Sequence, residues 1–152
     1  MAAPSAADVR DALHAFGLER DRLTAALAQA GGIGENDLAA IEHLEQAGSL
    51  TQTELGDRLL LTRGSVTTLV DRLERAGWVR RGRHPEDRRL TVLTLRPDAG
   101  AAAGRLGVDG YEEQIALAAG QLGADGRAAA VRFLEAAAAA AAEHADRLRP
   151  SG

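Results

Sequence analysis

A mainly α-helical fold with one small β-hairpin is predicted by three features of the sequence. Apolar residues recur at helical spacing through most of the chain, and the pattern changes to strand-like runs only between residues 78 and 95. A core with just Phe16, Trp78, Tyr111 and Phe133 as its aromatics must be filled by Leu, Val, Ile and Ala, which favours helices. Ser5 can cap a first helix in which Val9, Leu13, Phe16, Leu23 and Leu27 share the helical period, with Gly31 and Gly32 ending it and Gly17 as a weak spot within. A second helix starts near Glu35 or Asn36, places Leu38, Ile41 and Leu44 on one stripe, and stops at Gly48.

Thr51-Gln52-Thr53-Glu54 fits a capping box, in which hydroxyl and carboxylate each satisfy an unpaired amide at the helix start; a short third helix should run over 52–59. After the turn Leu60-Leu61, Thr62 can cap a fourth helix. Its Val66, Leu69, Val70 and Leu73 make an i, i+3, i+4, i+7 stripe, and Gly77 follows as the stop. Two helices joined by so short a turn read as helix-turn-helix. Residues 78–81 can then be extended and residues 90–95 are rich in β-formers, with a polar, arginine-studded turn at 82–89 between them, which predicts a hairpin projecting as a wing. Pro97 and Asp98 open a helix carrying Leu106, Val108, Tyr111 and Ile115, and Asp125 caps a last helix to about Leu148.

The expected architecture is thus a single winged helix-turn-helix domain over 1–152. It has a DNA-binding lobe at 34–96 and a helical dimerisation region from both termini, at 5–31 and 97–148. Seven alanines at 136–142 admit two readings, a plain solvent-facing helix or close backbone packing between subunits.

Composition narrows the function. At 152 residues the chain can bury one real core and is short for two ordinary domains. It has no cysteine, which removes disulfides, thiolate metal sites and thiol redox switches; a reducing compartment fits. No run approaches the roughly 20 apolar residues that span a bilayer, and the N-terminus lacks a basic region followed by an apolar core, so a cytoplasmic chain with no membrane partner is expected. All 18 basic residues are arginine, which reads as the codon bias of a GC-rich genome. The net charge of -4 is unevenly spread: residues 51–96 hold ten arginines against six acids, whereas elsewhere eight arginines face sixteen acids. A basic middle between acidic flanks suits one segment that meets phosphate while the flanks do something else.

With its stripe facing the core, the fourth helix leaves Thr62, Arg63, Gly64, Ser65, Thr67, Thr68, Asp71, Arg72 and Arg75 at its start or on its other sides. That face can enter the major groove of double-stranded DNA, where Arg63 can pair bidentately with guanine and Ser65 and Thr68 are short polar readers. In the wing, Arg83, Arg88 and Arg89 cluster where a two-stranded ribbon can lay guanidinium groups along the minor groove. Asp87, two residues from Arg89, can hold that side chain in position.

These residues together carry a resemblance. Leu50-Thr51-Gln52-Thr53-Glu54-Leu55, then Leu61-Thr62-Arg63-Gly64-Ser65-Val66-Thr67-Thr68-Leu69-Val70-Asp71-Arg72-Leu73-Glu74-Arg75-Ala76-Gly77-Trp78-Val79-Arg80-Arg81, then Asp87-Arg88-Arg89 and Leu93-Thr94 closely resemble the MarR family of bacterial regulators, over residues 34–100. The resemblance implies a homodimer with interlocking terminal helices, the recognition helix in the major groove of a palindromic operator and the wing arginine, here Arg89, in the minor groove. It further implies a ligand-responsive repressor whose small aromatic effector binds between the dimer helices and the DNA-binding lobe. The first, second and fifth helices enclose that pocket in the family, which makes His14, Phe16, His43 and Tyr111 the ligand-binding candidates. Peroxide sensing through a first-helix cysteine is excluded.

Neither metal nor cofactor is expected, since His14, His43, His84 and His144 show no ligand spacing. No nucleophile elbow, phosphate-cradling glycine loop or paired carboxylates in an apolar setting suggests an enzyme. A winged-helix protein-interaction or scaffolding module without specific DNA binding stays open as the alternative. The arginines at 63, 72, 83, 88 and 89 speak against it.

Overall fold

The computed structural model describes residues 3–84, 86–87, 89–99 and 108–148. The elements are α1 (Ala6–Gly31), α2 (Glu35–Ala47), β1 (Leu50–Thr51), α3 (Gln52–Leu59), α4 (Arg63–Arg75), β2 (Val79–Arg83), β3 (Thr91–Leu95), α5 (Val108–Gly120) and α6 (Ala124–Leu148). Two compact units contain them, residues 1–108 and 109–152. None of the described helices is long and apolar enough to cross a membrane.

Local signals set the helix ends. The Ser5 hydroxyl accepts from the Asp8 amide while the Asp8 carboxylate accepts from the Ser5 amide, and Thr51 and Glu54 repeat the arrangement at α3. Gly34 has no side chain with which to cap α2, yet Asp37 reaches back to accept from its amide at 3.0 Å. Leu60 closes α3 in the left-handed region at φ 54°, followed by Leu61 N–H donating to the Gly56 carbonyl. Gly77, at φ 82°, turns the chain out of α4 so that Trp78 N–H bonds the Leu73 carbonyl.

The lobe's core lies where α2, α3, α4 and the sheet converge, with Leu44, Leu55, Leu73, Leu93, Val66, Val70 and Val79 almost fully enclosed. The predicted stripe of α4 is buried in full. Helices α3 and α4 approach closely at Gly56, where a Cβ would stand 2.8 Å from Val66 Cγ2. Arg20 on α1 bonds Glu42 on α2 at 2.5 Å, beside a smaller apolar cluster of Leu27, Ala28 and Leu38.

The expected hairpin forms from β2 and β3, and three details differ. The hairpin is part of a three-stranded antiparallel sheet, order β1-β3-β2, in which Leu50 pairs with Leu93 and Thr51 with Val92. Gly82 and Arg83, assigned to the turn, pair with Val92 and Thr91, so β2 is longer than expected and β3 begins at Thr91. Helix α6 starts at Ala124, which puts Asp125 in its first turn rather than at the cap; its carboxylate still suits the positive end of the helix dipole. Leu106 and the expected helix start after Asp98 lie largely outside the described residues; Ala99 is helical and buried.

Helix α6 buries no residue, and Ile115, Leu117, Leu122, Val131, Phe133, Leu134 and Leu148 of α5, α6 and their connection stand exposed. On α1, Val9, Phe16 and Leu18 are exposed as well, and only the C-terminal Leu27 and Ala28 are buried.

Candidate nucleic-acid interface

The first turn of α4 carries the short polar residues. Thr62 Oγ1 accepts from the Ser65 amide at 3.3 Å and lies 2.9 Å from Ser65 Oγ. The Thr67 hydroxyl donates to the Arg63 carbonyl at 2.9 Å and the Thr68 hydroxyl to the Gly64 carbonyl at 3.1 Å. Both threonines have therefore committed their proton within the helix, and what they offer outward is an acceptor lone pair and a methyl group. That chemistry fits the amino groups of adenine or cytosine and the thymine methyl. Gln52 on α3 donates to Thr67 Oγ1 at 3.2 Å, which places it beside the same face.

Two arginines of the lobe are tied to acids. Arg72 is held by Asp37: its Nε lies 2.9 Å from Oδ2 and an outer nitrogen 2.6 Å from Oδ1. The side chain of Asp37 is 3% exposed and that of Arg72 51% exposed, so the pair fastens the interior of α2 to the rim of α4. The hydrogen bond to Asp37 keeps the Arg72 guanidinium protonated more firmly than usual. Arg81 on β2 likewise holds Asp71 at 2.6 Å and also grips Glu74, clamping the hairpin to α4 and neutralising the two acids of that helix. Among the described residues, no ion pair engages the guanidinium groups of Arg63, Arg83 or Arg89, all three of which are exposed. Unpaired positive charge thus stands at the start of α4 and in the hairpin, although Arg58, Arg75, Arg127 and Arg132 are also exposed and in no ion pair among the described residues.

Arg88 lies outside the described residues. Asp87 does not grip the Arg89 side chain as expected; its Oδ1 accepts from the Arg89 backbone amide at 3.0 Å and shapes the turn. His84 N–H bonds the Leu90 carbonyl at 2.9 Å, and Leu90 N–H bonds the Asp87 carbonyl at 3.0 Å, which continues the hairpin toward its tip.

The ligand candidates are more dispersed. His14 lies in a shallow depression on α1 formed with Arg10, Leu13, Gly17, Leu18 and Asp21, which includes neither Phe16 nor His43. His14 and Phe16 are two residues apart on one helix, roughly 200° around its axis, and face different ways. His43 is half-buried on α2, where burial and then nearby Arg58 hold its imidazole below the usual range. Tyr111 is half-buried on α5 in the second unit. No group of three or more His, Asp or Glu able to hold a metal occurs among the described residues.

Sequence reasoning found the exposed face of α4 and the wing arginines but not the Asp37–Arg72 and Arg81 pairs. Asp37 had one available signal: an acid three residues after a glycine cap.

Residues 26–91 match the profile of the MarR family. An uncharacterised HTH-type transcriptional regulator of Bacillus subtilis, YcgE, is 50% identical over 68 residues, covering 45% of this chain and 44% of the relative. The chain therefore aligns with less than half the length of that relative. Among solved structures, NadR in complex with 4-hydroxyphenylacetate has a TM-score of 0.63 at 22% identity, over 93% of this chain and 96% of that one. A cysteine-to-serine mutant of MarR from E. coli, complexed with operator DNA, has a TM-score of 0.52 at 22% identity, over 85% and 92% of the two chains. At that identity the structures establish the fold.

Proposed function

We propose, from the premise that residues 26–91 are a MarR-family winged-helix domain, that this chain is a homodimeric, sequence-specific DNA-binding regulator of transcription. The observation that carries the reading is that exposed, unpaired arginines stand at the short polar start of α4 and in the hairpin. Arg72 and Arg81 are consumed by acids of the lobe, whereas Arg63 at the start of α4 and Arg83 and Arg89 in the wing stay exposed and without ion pairs among the described residues. In this reading α4 enters the major groove with Thr62, Arg63, Gly64, Ser65, Thr67 and Thr68, and Arg89 enters the minor groove. Arg83 and Arg88 accompany it along that groove.

Repression relieved by a small aromatic effector is the regulatory mode we assign, with His14, Phe16, His43 and Tyr111 as candidate contacts. It is supported by the 4-hydroxyphenylacetate bound to a protein of the same fold. Two copies of the basic lobe displace counterions from DNA. If 6 to 10 phosphates are contacted, affinity for a promoter duplex from upstream of the chain's own gene should fall by about 10³ to 10⁵ between roughly 50 and 200 mM salt. A flat titration, followed by fluorescence anisotropy, would instead favour the protein-interaction alternative.

A further inference from the structure

The tip of the wing is built around a histidine. His84 leaves β2, and its Nδ1 accepts hydrogen bonds from two backbone amides ahead of it, Glu86 N–H and Asp87 N–H, each at 3.2 Å. A backbone amide can only donate, so Nδ1 must present its lone pair and the ring must carry its one proton on Nε2. These bonds set the path of the chain into Asp87, whose own carboxylate then fixes the Arg89 amide. His84, Glu86, Asp87 and Arg89 are thus linked by side chain to backbone contacts with an unprotonated nitrogen at their root.

Resting on the DNA-binding reading above, we propose that His84 is a positioning residue for DNA recognition: its neutral imidazole holds the wing tip in the shape that presents Arg89, and protonation releases it. A proton on Nδ1 converts the acceptor into a donor facing two donors, so both bonds are lost together. Histidine is the side chain that ordinarily makes this change between pH 5 and 8. The charges around the ring give the protonated form somewhere to go. Within the hairpin they are Arg83, Glu86, Asp87 and Arg89. On α3, Glu54, whose carboxyl the Thr51 amide and hydroxyl hold below the usual range, interacts electrostatically with His84 once the ring is charged. A charged ring is drawn toward that carboxylate and away from the amides it capped.

The sign of the effect is diagnostic. Protonating a basic lobe should strengthen DNA binding by Coulomb attraction. Loss of the wing cap acts the other way. The promoter duplex should therefore bind the wild-type chain about tenfold more weakly near pH 5.5 than near pH 8, as expected for two lost hydrogen bonds. His84→Asn supplies a carbonyl acceptor that caps the same turn but does not titrate. It should match the wild type near pH 8 and keep its affinity near pH 5.5, whereas His84→Ala should be weak at both. In the free protein, imidazole nitrogen shifts should report the Nε2–H form, and the Glu86 and Asp87 amides should move with the titration of His84. The other histidines are common to all three proteins, so the comparison isolates position 84. Identical pH profiles for wild type and His84→Asn, or full affinity in His84→Ala, overturn the role of His84 while leaving DNA binding intact. Absence of salt-dependent binding by the wild-type chain near pH 8 overturns both.

Discussion

At the wing, the Asp87 carboxylate bonds the backbone of Arg89 and leaves the guanidinium to solvent, so the two residues make separable contributions. Arg89→Ala should weaken promoter binding by about 1–3 kcal/mol and leave the melting temperature nearly unchanged, because an exposed side chain at a hairpin tip fills no cavity. Asp87→Ala should weaken binding as well, through loss of the amide's acceptor. Asp87→Asn keeps an acceptor oxygen and removes a negative charge beside DNA, so it should bind at least as well as wild type. Anisotropy titrations of the three variants check the order, and an Asp87→Ala that binds more tightly than wild type would make the turn an ordinary solvated loop. The exposure of Arg83 and Arg89 was legible in the sequence because charged side chains in a polar turn keep to water. The contacts of Asp87 were only half legible: spacing placed it near Arg89 but could not say whether it would take the side chain or the amide.

Helix α4 is held from two sides, by Asp37 of α2 through Arg72 and by Arg81 of β2 through Asp71 and Glu74. Both ties join residues far apart in the chain, and periodicity carries no information about such pairs. The helix itself was readable to the residue, since the Thr62 cap, the stripe through Leu73 and Gly77 all act locally. Strand β1 was not, because two residues are too few for an alternating pattern and Thr51 already serves as the cap of α3. The Asp37–Arg72 pair is asymmetric in burial, which predicts an asymmetric response to mutation. Arg72→Ala leaves a carboxylate enclosed with only the Gly34 amide to bond, and should cost about 2–3 kcal/mol, below the usual penalty for a fully buried pair. Asp37→Asn keeps that amide bond and leaves a half-exposed guanidinium that water can solvate, for a cost of about 1 kcal/mol. Urea unfolding of both variants tests the ranking; a larger loss for Asp37→Asn would mean that Asp37 matters as a helix cap more than as a partner.

On the scale of the whole molecule, the lobe encloses its apolar residues and the second unit does not. Helix α6 has 25 residues and buries none, and Val131, Phe133 and Leu134 are 53%, 39% and 52% exposed. Clusters of exposed large apolar side chains mark surfaces that associate. On α1, Val9, Phe16 and Leu18 carry the same signature. The sequence showed these helices as amphipathic but could not show what their apolar faces meet, since a stripe reads alike whether the same chain or a second copy covers it. In the proposed homodimer a second copy would cover these exposed faces and supply a second recognition helix for a palindromic site, with half-sites about one turn of DNA, ~34 Å, apart. Leu134→Glu separates association from folding. Its side chain is half-exposed in the single chain, so the substitution opens no cavity there, yet it would place a charge in the interface of a dimer. The variant should sediment as a monomer at concentrations where the wild type is a dimer, with its lobe still folded by the Trp78 fluorescence signal. It should also bind a single half-site about as well as wild type but lose preference for the paired site. A wild-type chain that sediments as a folded monomer, or a Leu134→Glu variant that stays dimeric with an unchanged preference for the paired site, would assign the apolar face of α6 to some contact other than self-association.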